Sequence, residues 1–236
     1  MGVETLLIDV PHQRVINVKI ERNDHSQARG HADVMAVALP LTTKSDRRRL
    51  QAATLDAAGC LAFPDVPQGQ DSAEAFESAA RLHAKNGDRL REGLARLHAA
   101  GARYTRLADW ASAAELASQA AATLARTDAP EFVAIAVRIE GAALDQRANA
   151  TDVELRARER DLRQAREQLT EAFERFQTLG NNYEAGYALN YRGVSFHVSG
   201  ERERARDDYR KALDLFRSAS DKPAQALSLQ SLALQS

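Results

Sequence analysis

Forty residues separate two copies of one apolar pattern, and that period constrains the chain more than any other feature. Ala165, Leu169, Ala172, Phe173 and Phe176 recur as Ala205, Tyr209, Ala212, Leu213 and Phe216, each set falling on one face of a helix of 3.6 residues per turn. A repeat of this length is a pair of helices, and one pair cannot bury its own apolar face. The pairs must stack, each sharing its core with the next, into a solenoid with a long open surface.

Glycines mark the units. Leu97, Gly101 and Tyr104 are followed by Ala113, Ala120 and Leu124; Gly141 and Leu144 come forty residues after Gly101 and Tyr104; Leu189, Gly193 and Phe196 are followed by Ala205, Ala212 and Phe216. A glycine in the first helix and an alanine in the second remove bulk where two helices cross, while an aromatic residue or leucine fills the wider gap beside them. From Gly141 to Gly193 the spacing is 52, twelve more than elsewhere. The excess lies at 146–163, where Thr151 and Glu154 form a capping box, so one long helix is predicted from about Asp152 to Leu179.

Upstream, Ser45 is the expected N-cap of a helix reaching about Phe63 and closed by Pro64 and Pro67. Its partner runs from Asp71 or Ser72 to Lys85 and stops at Asn86-Gly87. At the other end, Pro223 to Ser236 matches a first helix by the same offset. Residues 45–236 are thus read as one helical array. Leu227, Leu229, Leu232 and Leu234 are spread around that last helix; one side can pack and the other turns leucines outward, a patch to be covered either by continuation of the chain or by a second copy across a two-fold axis, and association of the isolated chain through this end, with Leu232 and Leu234 outward, is expected.

Residues 1–40 differ. Leu6 to Val10, Val15 to Ile20 and Val34 to Leu39 are three runs rich in β-branched residues, separated by Pro11-His12 and by polar residues 23–31. A small β-rich module is expected, either packed on the helices or the remainder of a larger β domain.

Charge and motifs exclude several functions. Lys and Arg number 32 against 33 Asp and Glu, so no net field draws a polyanion, and nucleic acid is not an expected ligand. Arg156, Arg158, Arg160, Arg163 and Arg166 are interleaved with Glu154, Glu159, Asp161 and Glu167, the pattern of a solvated helix face. The single Cys60 excludes an internal disulfide. The opening residues carry no basic start followed by an apolar run, and Leu6 stands where myristoylation wants a hydroxyl. A cytoplasmic chain with no membrane partner is expected. Asp24, His25 and Ser26 are adjacent, which suits a polar turn and not a nucleophile, base and orienter. His12, His25 and His31 lack helical or cysteine-paired ligand spacing. No glycine-rich phosphate loop is present. The expectation is no enzyme, no cofactor and no metal.

Gly193, Phe196, Gly200, Ala205, Tyr209, Ala212 and Leu215 resemble the signature of the tetratricopeptide repeat in its longer variant. Gly101, Tyr104, Trp110, Ala113 and Ala120 look like a second copy, Gly141 with Ala165 and Ala172 like a third, and Ala226 to Leu234 like the first helix of a fourth. Arg192 departs from the pattern where an apolar residue is usual, and Ala117 where a bulky one is. HEAT and armadillo arrays share the period, but their proline-bent helices are not seen here. The resemblance implies a mainly α fold: a right-handed α-α superhelix of helix pairs, carrying the small N-terminal β module.

In such arrays the concave side binds peptides or helices. Taking Gly101, Gly141 and Gly193 as one position, the residues three before and one and four after line it. The candidate groove is His98, Ala102 and Thr105, then Arg138, Ala142 and Asp145, then Asn190, Val194 and His197, with Tyr187 at its edge and Gln230 extending it. The expected function is a non-catalytic scaffold for a protein or peptide partner. The order of modules, β-rich segment, the Arg- and Ala-rich helix of residues 47–56 and long repeats, is also similar to the region ahead of the caspase-like domain in bacterial CHAT-type peptidases. That makes a sensing part of a larger peptidase the alternative, decided by whether a reading frame continues into a domain with a Cys and His dyad.

Overall fold

The computed structural model describes residues 3–10, 14–21, 35–36, 69–150 and 153–233. The helix expected at Ser45 to Phe63 lies outside them, as do Cys60, Thr151 and Leu234. At the amino end, β1 (Val3–Val10), β2 (Arg14–Glu21) and β3 (Met35–Ala36) pair antiparallel in that order, with Leu6 opposite Val18 and Ile8 opposite Ile16. These are paired backbone segments, and a packed β module over residues 1–40 is not shown by them.

The rest is mainly α. Eight helices follow one another among the described residues: α1 (Gly69–Lys85), α2 (Arg89–Ala102), α3 (Trp110–Leu124), α4 (Pro130–Ala148), α5 (Leu155–Thr178), α6 (Asn182–Val198), α7 (Arg202–Ser218) and α8 (Lys222–Ala233). Each packs chiefly on its neighbours in sequence, as stacked pairs in a superhelical array require. Most of the periodic residues make the core: Ala165, Leu169, Ala172 and Phe176 are buried on one side of α5 together with Leu162, Phe173 is half-buried, and Ala205, Tyr209, Ala212, Leu213 and Phe216 are buried on one side of α7.

Four turns share one design. Gly87, Gly180, Gly200 and Ser220 all have positive φ, of 71, 69, 78 and 56°. In each turn the following N–H returns to a helix carbonyl: Asp88 to His83, Asn181 to Phe176, Glu201 to Phe196 and Asp221 to Phe216. This is the Schellman closure. Where that following residue is Asp or Asn it also starts the next helix, since Asp88, Asn181 and Asp221 accept from the backbone N–H groups of Arg91, Glu184 and Ala224. A helix end and a helix start are thereby fused, which fixes the angle between successive helices.

Crossings are close where small residues were expected, with one correction. A Cβ on Gly141 would lie 2.7 Å from Leu169 Cγ, and one on Gly193 would lie 2.6 Å from Tyr209 Cε1. A Cβ on Gly101 would meet nothing within 4 Å, so Gly101 marks no crossing. In α2 that role falls to Gly93, whose Cβ would sit 2.5 Å from Leu124 Cγ, as Gly186 meets Phe216 at 2.6 Å. The register of α2 is therefore one residue from the glycine-based alignment, and Ala100 takes the place of Gly141 and Gly193. Ala100 and Ala117 are both fully buried; the small Ala117, in the place of Leu169 and Tyr209, removes the need for a glycine opposite. A π turn, Arg103–Leu107, follows α2 and takes up the extra residue. Arg103 anchors it, with Nη2 2.7 Å from Glu77 Oε1 and Nη1 2.8 Å from Asp109 Oδ2.

The twelve-residue excess lengthens both helices of one pair, α4 to 19 residues and α5 to 24. Helix α5 begins at Leu155 with Glu154 as its N-cap and no side-chain cap bond, so Glu154 is not the third helical residue that the capping box required. The extension is tied by Arg147 Nε, 2.7 Å from Oδ2 of the buried Asp161.

Candidate interaction surface

First helices adjoin one another, α2 against α4 and α4 against α6, more closely than second helices do. The array therefore bends toward its first helices, whose free flanks form the inner face. Of the eleven residues expected there, Ala102, Ala142, Asp145 and Asn190 are 0, 2, 1 and 3 % exposed. They do not line an open surface, because adjoining first helices cover them. Arg138 is held within the chain, its Nε 2.8 Å from Glu184 Oε2. Asn190 Oδ1 accepts from Ser228 Oγ of α8 at 3.5 Å. His98 is exposed and rests its ring on Phe76 of α1 at 5.0 Å. Thr105 is exposed in the π turn, where its hydroxyl donates to the Gly101 carbonyl at 2.8 Å. Val194, His197 and Tyr187 are half-buried and Gln230 is exposed. With the register corrected, the tyrosine at 104 replaces Thr105 on the inner face.

The fold assembles a tyrosine ladder there. Tyr183, Tyr187 and Tyr191 stand one helical turn apart on α6. Ring centroids are 5.0 Å apart for Tyr183 and Tyr187 and 6.4 Å for Tyr187 and Tyr191. Phe216 of α7 supports the ladder edge-on, 5.1 Å from Tyr187 and 6.3 Å from Tyr183. Tyr104, in the turn after α2, lies close enough to Tyr191 of α6 for the two hydroxyls to interact electrostatically. Burial pushes the Tyr104 and Tyr187 hydroxyls above the ordinary phenol range, so both stay neutral donors. The i, i+4, i+8 spacing of the three tyrosines is visible in the sequence, although the groove residues expected from the glycines include Tyr187 and neither Tyr183 nor Tyr191.

Behind this face lies a polar knot. Asp145 is buried, with Oδ2 accepting from Asn149 Nδ2 at 3.3 Å and Oδ1 unpaired. Burial raises its pKa to about 6, against the opposing pull of the Ser195 hydroxyl and the Arg166 guanidinium. Arg166, read from the sequence as part of a solvated stripe, turns inward. Its Nε donates to Ser195 Oγ at 3.1 Å, Nη1 to Glu201 at 2.8 Å, and Nη2 to the Ser195 carbonyl at 2.9 Å and to Ser199 Oγ. It also lies 4.6 Å from the centre of the Phe196 ring. This arginine fixes the turn between α6 and α7 and so the end of the ladder helix.

Asp24, His25, Ser26, His12 and His31 lie outside the described residues. Among the described residues no three His, Cys, Asp or Glu side chains are placed to hold a metal, and no helix is long and apolar enough to cross a membrane.

Fold and face together define a mainly α protein of repeat-like helix pairs. No family model matches the chain, and no curated protein matches it. Among solved structures it is similar to BtubC (BKLC) from P. vanneervenii, at 19% identity, with 82% of this chain and 83% of that chain covered and a TM-score of 0.45.

Proposed function

We propose that the chain is a non-catalytic scaffold of the tetratricopeptide type, which presents the inner face of its first helices to a peptide, a helix or a neighbouring domain. The tyrosine ladder carries this reading. Tyrosines combine a broad apolar face with a polar tip and dominate the energetics of many interfaces. Here Tyr183 is 39 % exposed while Phe216 behind it is fully buried, so the ring is both available and held in place. Small residues at the crossings, at Gly141, Gly186 and Gly193, support the repeat type. The handedness of the superhelix belongs to the same proposal.

The test is capture and then titration. A partner isolated with the wild-type chain should lose at least ~10-fold in affinity for Tyr183→Ala with Tyr187→Ala, on the usual scale of interface anchors, with helical circular dichroism retained. Wild-type affinity in that variant would refute the inner face as the binding surface. Arg138→Glu with Asn190→Ala alters two of the groove residues expected from the sequence. It now tests integrity of the face, since both side chains are held by the chain itself.

A further inference from the structure

We propose that the outer side of α8 pairs with α8 of a second copy of this chain across a two-fold axis. The other first helices each lie between two second helices: α2 between α1 and α3, α4 between α3 and α5, α6 between α5 and α7. Helix α8 packs on α7 and, among the described residues, meets no second helix on its other side. It buries Ala224 and Ser228, one turn apart, and leaves Leu227 39 % and Leu229 51 % exposed. At about 100° per residue these leucines stand on the two shoulders of the outer side, with the exposed Ala226, Gln230 and Ala233 between them. Small residues in the centre let a second helix approach, and the leucines close over its flanks. Leu232, expected from the sequence to point outward, is half-buried instead.

Charge selects the occupant. Across its twelve residues α8 carries one charged side chain, Lys222 at its first position. A two-fold contact that pairs the helices antiparallel sets the first turn of each against the last turn of the other, so the exposed Lys222 on this side meets no copy of itself; past that first residue the outer side of α8 carries no charge. The exposed sides of α5 and α7 are dense in Arg, Glu and Asp, and those groups would lose hydration against α8 without gaining a partner. A second α8 offers the same leucines and, past its first residue, no charge. This interface is separate from the inner face and stands or falls independently of it.

Light scattering after size exclusion on the full chain decides the matter at tens of micromolar. The wild-type chain should show twice the monomer mass, and Leu227→Glu with Leu229→Glu should show the monomer mass at unchanged helical circular dichroism. The dimer constant should move less than ~2-fold between about 50 and about 500 mM salt, because no ion pair is screened. If the glutamates unfold the chain, Leu227→Gln with Leu229→Gln, good helix formers without charge, is read the same way. A monomeric wild-type chain overturns the proposal. So does a dimer that survives the substitutions, or one that salt dissociates.

Discussion

Arg192 and Asp208 meet as a two-pronged ion pair between α6 and α7, with Nε to Oδ2 and Nη2 to Oδ1 both at 2.7 Å. The remaining Nη1 donates to Thr170 Oγ1 of α5 at 2.8 Å, so one guanidinium joins three helices. Asp208 is 4 % exposed. This explains a charged residue in a position where repeats usually place an apolar one. Asp208→Ala leaves the arginine uncompensated and should cost ~3–5 kcal/mol, whereas Arg192→Met with Asp208→Leu should recover most of that loss. Urea denaturation of the three chains checks it; a double variant no better than the single one would contradict this account.

Gly193→Ala puts a methyl group where Tyr209 Cε1 stands 2.6 Å away, and Tyr209 is buried with no free side to turn to. The expected loss is ~1–3 kcal/mol, rising for Gly193→Leu. Removing the opposing ring should reverse the sign of the coupling: in a Tyr209→Ala background the added methyl should be harmless or favourable. A double-mutant cycle with no coupling would mean that the two helices do not cross there.

Ser220 occupies the left-handed position that glycine fills at Gly87, Gly180 and Gly200. Relieving its Cβ should raise stability by ~0.5–1 kcal/mol in Ser220→Gly. Gly180→Ala should lower stability by a similar amount. Thermal midpoints moving in opposite directions for the two variants are the expected outcome.

Asp145 gives a pH signature. Its folded pKa of about 6 lies well above the ordinary aspartate range, with burial as the leading cause. The folded state thus binds this proton more tightly than the unfolded state does. The group favours folding fully below the unfolded value, and this contribution is lost as pH rises from about 4 through about 6. At neutral pH the buried carboxylate is a net cost. Asp145→Asn should therefore be more stable than the wild-type chain at pH 7, with the advantage shrinking toward pH 4. Urea midpoints across that range test it, and parallel curves for the two chains would contradict it.

The period of forty residues was enough to read the helix pairs, the stop at Asn86-Gly87 and the long helix that ends near Leu179. These are local facts, carried by apolar spacing and by glycines at helix ends. The one-residue slip at Gly101 was not legible, because the π turn after α2 is held by Arg103 reaching Glu77 in another helix. Which inner residues stay open was not legible either. Ala142 and Asp145 are closed off by the approach of neighbouring units, and a periodic pattern sets faces but not the distance between them. Arg166 shows the same limit for charge: its spacing matched a solvated stripe, yet Glu201 and Ser195 draw it inside.

Both departures from the regular repeat, the π turn after α2 and the extension of α4 and α5, sit where a first helix passes into its own second helix. Three of the four passages from one pair to the next, at Gly87, Gly180 and Ser220, keep short Schellman closures, while that from α3 to α4 closes through the Thr127 N–H to the Leu124 carbonyl and Pro130 at the start of α4. The molecule is bound like a book along one margin, with leaves free to differ in length at the other. Residues added near the exposed Asn149 would enlarge one leaf without changing the pitch at which the leaves are stacked. Length variation along such an array can therefore accumulate on a single border, where it alters what protrudes and leaves the tyrosine-bearing face in register.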